Sequence, residues 1–201
     1  SPDIHASMSL CLGPCEVSVS EMVSAYTAFA NHGIRTAPMF VSRIEDNEGN
    51  TIATFQPRMN EVIGAENAMK MLTMLMGVVD GGTAGRLRYR YNLEGQIGAK
   101  TGTTNNNSDG WFIGFTPQLV SGCWVGGEER DIHFDSMSMG QGATMALPIW
   151  AIFMKKVYAD PSLGISPTVK FDLPDGYNPC SKPKSDQDDF EQVDGIDEVF
   201  E

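Results

Sequence analysis

The stretch "GQIGAKTGTTNNNSDGWFIGFTP", residues 95–117, sets one lysine among glycines and threonines and follows it with a polar turn and an apolar run. Alternation along a strand puts Lys100, Gly102 and Thr104 on one side and Thr101 and Thr103 on the other. The pattern predicts strands at Gln96 to Thr104, Trp111 to Thr116 and Leu119 to Gly126, joined by "NNNSDG" and "PQ". Connectors this short join neighbours in an antiparallel meander. On an edge strand, Gly102 has no side chain to hold a second chain away, so an extended peptide could hydrogen-bond to the backbone there. Lys100 beside threonine hydroxyls would then receive a carboxylate at the end of that peptide.

Outward from this stretch, Ser18 or Ser20 with Glu21 caps a helix through "MVSAYTAFANHG" that stops at Gly33. Met22, Ala25, Tyr26, Phe29 and Ala30 recur at helical spacing and predict its buried face. "MFVSRIEDNEGNTIATFQP" alternates on both sides of a turn and predicts a hairpin. A second helix runs from Ala65 to Val79, and its Met69, Met71, Leu72, Met74, Leu75 and Met76 predict burial on more than one side. A last helix is expected from Leu147 to Tyr158, with Pro148 in its first turn. Helices, then a meander, then a closing helix make an α+β fold, an antiparallel sheet covered by helices. Residues 1–160 form this domain, and 161–201 are expected to be an acidic, flexible tail.

The formal net charge of the 201 residues is -12, and residues 172–201 hold ten carboxylates against Lys182 and Lys184. That balance repels a phosphate backbone and excludes nucleic-acid binding. The longest apolar run, Met145 to Met154, is too short for a bilayer and contains Pro148. Cys11, Cys15, Cys123 and Cys180 are scattered, and His5, His32 and His133 lie far apart, so no metal or other cofactor is expected and the cysteines read as buried or free thiols, with a disulfide as the alternative.

"KTGTT", an Asn-rich turn with Asp109, and "GWFIGFTP" together resemble the third active-site motif and following strand of penicillin-binding proteins, the D,D-transpeptidases of bacterial cell walls. The string is more similar to the bifunctional class A branch than to class B enzymes or serine β-lactamases. "LGPCEVSVSEMVSAYTAFANHG" resembles the segment after that family's second motif, "VVDGGTAGRL" its pre-strand helix end, "GCWVGGEE" the next strand and "GATMALPIWAIFMKKVY" its C-terminal helix.

The resemblance implies an incomplete form of the penicillin-binding and serine β-lactamase fold. It implies that Lys100 orients the substrate carboxylate and takes part in proton handling, and that Thr101 and Thr103 give hydroxyl contacts. The Thr103 N–H would be one oxyanion-hole donor, and Gly102 would permit close approach. The partners it implies are a stem peptide ending in D-Ala-D-Ala and β-lactams.

The sequence departs from the family pattern in two places. No Ser-x-Asn occurs, and the sole Ser-x-x-Lys, Ser181 to Lys184, follows the closing helix and contains a proline. The nucleophile is therefore expected upstream, this segment alone is expected to be inactive, and a glycosyltransferase domain and membrane anchor are implied before it, on the periplasmic or outer side. Two other readings stay open. One is a β-lactamase or D,D-carboxypeptidase of the same superfamily; the other is a non-catalytic module that binds peptide at the strand edge. Loss of the helices that carry the first two motifs predicts an exposed apolar patch, relieved by self-association or a covering chain.

Overall fold

The computed structural model describes residue 4, residues 6–13 and residues 15–180. An exposed 3-10 turn at Met8–Leu12 leads into α1 (Val19–Ala30). Ser18 starts α1 as half of a capping box: its Oγ accepts the Glu21 amide at 3.3 Å while its own amide donates to the Glu21 carboxylate at 2.8 Å. The helix stops where His32 and Gly33 take positive φ, and a Cβ at Gly33 would lie 1.9 Å from the Ile63 carbonyl oxygen. Only glycine fits that turn.

β1 (Ile34–Thr36) pairs with β4 (Met59–Glu61), and between them β2 (Arg43–Glu45) and β3 (Thr51–Thr54) form the expected hairpin. Then come α2 (Ala65–Asp80), the short α3 (Arg86–Tyr89), β5 (Gly98–Thr103), β6 (Asp109–Phe115) and β7 (Val120–Gly126). The short α4 (Met137–Gly140) and the long α5 (Gly142–Ala159) follow. β5, β6 and β7 make the expected antiparallel meander, with β6 in the centre.

The meander is covered on both faces. On one side Phe112 of β6 and Ala99 of β5 meet Ala146, Leu147, Trp150 and Met154 of α5, a cluster that also takes in Val79 and Leu87. Removing the larger of these side chains, such as Phe112, Leu147 and Met154, from water is worth about 1.5–3 kcal/mol each. On the other side the Cβ position of Gly122 faces Ile113 and the Val19 and Val23 side chains of α1, so strand and helix touch with nothing between them. A second cluster joins Leu72 and Leu75 of α2 to Phe115 and Phe171, with Tyr26 and Phe29 packed against it.

Four expectations need correction. α5 begins at Gly142, ahead of the expected Leu147, and Pro148 lies inside it. Burial of Ala143, Ala146 and Leu147 against the sheet outweighs the hydrogen bond that the proline forfeits. α1 buries Ser24 and Ala28, whereas Ala25 is exposed; Ser24 is tolerated inside because its hydroxyl donates to the Thr36 carbonyl at 2.6 Å. α2 buries a single stripe, Ala68, Leu72, Leu75 and Val79, and leaves Met71 and Met74 exposed, because the sheet covers only one of its sides. Beyond α5 the chain does not leave the body at 161: Gln118 holds Gly164 and Ser166, and the Phe171 amide donates to Gln96. The Phe171 ring packs edge-on against Phe115 at 5.9 Å. This strap seals the second cluster.

Cys15, Cys123 and Cys180 are free thiols. The Cys11 side chain, the Ser181–Lys184 string and the acidic run to Glu201 lie outside the described residues. Among the described residues no group of His, Cys, Asp or Glu could hold a metal ion, and no helix is long and apolar enough to cross a membrane. Large apolar side chains are exposed on the outer face of α5, at Ile149, Ile152 and Phe153, and along the β2–β3 ribbon, at Phe40, Ile44, Ile52 and Phe55.

Candidate functional site

Lys100, Thr101, Gly102 and Thr103 are consecutive on β5, which stands at the end of the strand order. Thr104 donates its amide to the Asp109 carbonyl at 3.1 Å, closing the turn to β6. Hydrogen-bonded and open pairs alternate along an antiparallel ladder, so Gly98, Lys100 and Gly102 bond to their partners Phe115, Ile113 and Trp111. The N–H and C=O groups of Ala99, Thr101 and Thr103 consequently point to the outer edge. Among the described strands none pairs with it.

Side chains divide as the alternation requires. Ala99, Thr101 and Thr103 face α5, and Lys100 and Gly102 face the α1 side. The Lys100 ammonium does not extend along that face: it donates to the Thr101 carbonyl at 2.7 Å and so sits over the free edge. It makes no ion pair among the described residues. A Cβ at Gly102 would lie 3.0 Å from that of Trp111, tight for any larger residue.

Elements outside the strand hold both threonine hydroxyls. Thr101 Oγ1 is 2.9 Å from Thr83 Oγ1, and Thr103 Oγ1 accepts the Gly142 amide at 3.0 Å. The partial positive charge at the start of α5 therefore lies against Thr103 and adds to the field of Lys100. α5 can come this close because Gly142 has no side chain; a Cβ there would be 2.3 Å from the Gly102 carbonyl oxygen.

The Asn-rich turn is braced at the far end of β5. Asp109 accepts from Trp124 Nε1 at 2.9 Å and from the Thr104 hydroxyl at 3.0 Å. Asn106 and Asn107 take positive φ, and Asn107 exchanges hydrogen bonds with the Phe134 backbone. Two concavities lie elsewhere, one lined by Phe29, His32, Leu72 and Phe171 and the other by Arg88, Asn92, Leu93 and Glu94. Neither of these two concavities combines strand backbone free of a neighbouring strand, a fixed cation and held hydroxyls, as the β5 edge does. An edge with these groups can take an extended, anionic chain end.

All four residues picked out from sequence are thus brought together. Thr83, Gly142 and the Asp109–Trp124 brace were missed as site elements. For Asp109 the turn composition was a signal; for Thr83 and Gly142 the contact spans 18 and 39 residues and no local pattern announces it.

Residues 4–122 match the model of the penicillin binding protein transpeptidase domain. The chain is 36% identical over 166 residues to penicillin-binding protein 1A of Aquifex aeolicus, an alignment covering 83% of this chain and 21% of that protein. Against penicillin-binding protein 1A of Neisseria meningitidis serogroup A the identity is 34% over 161 residues, covering 77% and 19%. The chain thus spans about a fifth of the length of these curated relatives. Among solved structures, penicillin-binding protein 1A from Haemophilus influenzae superposes with a TM-score of 0.72 at 24% identity over 86% of this chain and 30% of that one, which shows the fold. PonA1 from Mycobacterium tuberculosis, solved in complex with penicillin V, gives 0.62 at 25% identity over 75% and 40%.

Proposed function

The chain belongs to the penicillin-binding protein transpeptidase family, and on that premise we propose that β5 is the carboxylate-receiving edge of a D,D-transpeptidase whose nucleophile lies in residues outside this chain. The observation that carries the reading is the unpaired edge of β5, with the Lys100 ammonium over it and the Thr103 N–H pointing out of it. A stem peptide ending in D-Ala-D-Ala adds along that edge as an extended strand. Lys100 and the Thr101 and Thr103 hydroxyls bind its terminal carboxylate. The Thr103 N–H is one of two donors to the oxyanion that forms when a serine oxygen attacks the penultimate carbonyl.

The terminal D-Ala amine leaves with a proton, and the acyl-serine is then attacked by an amine of a neighbouring peptide, which returns the proton to serine. A β-lactam presents a carboxylate and a reactive carbonyl to the same groups and stops at the acyl stage. We place the site on the periplasmic or outer face of the cell, behind an upstream anchor. The uncovered faces of α5 and the β2–β3 ribbon support contact with upstream residues or a second copy.

The test is labelling with fluorescent penicillin G of the protein expressed from its complete gene and of residues 1–201 alone. One labelled serine outside these residues in the former, and none in the latter, is expected. Stable acylation of a serine within 1–201 overturns the assignment.

A further inference from the structure

We propose that Thr83 is a positioning residue that aims the Thr101 hydroxyl at the carboxylate of an incoming peptide or β-lactam, an inference that rests on the reading of β5 just given. Thr83 belongs to the loop between α2 and α3, outside the strand and its turn. The 2.9 Å separation of the two hydroxyl oxygens makes one of them the donor to the other.

The loop is built to keep Thr83 in place although its side chain is exposed. A Cβ at Gly82 would lie 2.8 Å from the Val78 Cα, so the backbone there is pressed onto the end of α2. On the other side Ala84 is wholly buried and donates its amide to the Val78 carbonyl at 3.0 Å. Thr83 is held from both directions, with its hydroxyl at β5.

A hydroxyl has one proton to give and two lone pairs to accept with. When Thr83 donates to Thr101, the Thr101 proton is free for an anion, and a hydroxyl that accepts a bond becomes a better donor. Thr103 is arranged in the same sense, since its oxygen accepts from Gly142. Both threonines then offer donors to one carboxylate beside Lys100, each supported from behind by an element other than β5. Thr83 touches neither the carboxylate nor the reacting carbonyl; it acts through Thr101.

The test uses protein expressed from the complete gene, with acylation rates measured for penicillin G and for its methyl ester, which lacks the anionic carboxylate. Thr83→Val should slow acylation by the acid about threefold to tenfold, the worth of one hydrogen bond, and leave the ester rate within about twofold. Thr83→Ser should restore the acid rate, and Thr83→Val should add nothing in a Thr101→Val background. An unchanged acid rate in Thr83→Val, or an equal loss with acid and ester, overturns this inference alone. Failure of the unsubstituted protein to react with either compound overturns it together with the proposed function.

Discussion

The Gly142 amide donates to the Thr103 hydroxyl at 3.0 Å, so a residue of strand β5 caps a helix that begins 39 residues later. Gln141, at the N-cap position of α5, makes no side-chain capping bond. The strand that carries the candidate site and the helix that backs the sheet are thus tied at the site itself, and changes to either should be felt by both.

Thr103→Val should cost about 0.5–2 kcal/mol of folding stability, the range for loss of a helix cap, and Thr103→Ser should recover most of it. Urea denaturation of the two variants checks this. Equal stability of Val and Ser would show that the cap contributes nothing.

Lys100 should behave oppositely. Its side chain is exposed and, among the described residues, bonds only to the carbonyl of the next residue, so Lys100→Met should leave stability within about 0.5 kcal/mol. Penicillin acylation of the protein from the complete gene should fall by about tenfold to a hundredfold, the worth of a charge-assisted hydrogen bond. Stopped-flow labelling measures it.

Gly142→Ala places a Cβ 2.3 Å from the Gly102 carbonyl oxygen and 2.4 Å from that of Trp111. Both neighbours are backbone, so α5 has to move off the sheet, at a cost of about 1–3 kcal/mol. The Thr103 cap is lost in the same movement, so Gly142→Ala and Thr103→Val should be less than additive in a double-mutant cycle.

Phe171→Ala should destabilise the domain by about 3–5 kcal/mol, because a 7% exposed ring packed on Phe115 leaves a cavity when removed. Ending the chain at Asp160 should cost at least as much. A change under about 0.5 kcal/mol by urea denaturation would return the strap to the status of a surface tail.

The β2–β3 turn should loosen in acid. The Asn50 side chain first, with the Asn50, Glu48 and Gly49 amides, holds the Asp46 carboxyl below its ordinary 3.8. A group whose pKa is lower in the folded state stabilises fully above the unfolded value, and that stabilisation is lost as pH falls through the folded value. Protection of the Glu48 and Asn50 amides, their observed exchange set against the intrinsic rate at each pH, should therefore fall below about pH 4, and Asp46→Asn should remove that dependence. Unchanged protection down to about pH 2 would contradict it.

Features settled within one strand or one helical turn are legible in the sequence. The alternation in residues 96–126 announced three strands because one side of the sheet meets α5 and the other α1, so each face wants its own residues. Ser18 and Glu21 marked the start of α1 because capping is settled within one turn. Predictions that depended on what lies opposite a helix fared worse: Ala25 and Met71 carry the right chemistry for a core yet face outward. Pro148 looked like a beginning, and only the burial of Ala143 and Leu147 shows why α5 starts earlier.

At the site, the residue order around Lys100 determined by itself that an ammonium, two hydroxyls and a bare backbone position would share one strand, since successive residues alternate about a chain that cannot do otherwise. Tertiary structure decided that this strand stands at an edge, that Lys100 folds over it, and that Thr83 and Gly142 hold the threonines. Those outcomes depend on packing between segments distant along the chain, whose meeting is set by how α2 and α5 bury their apolar stripes.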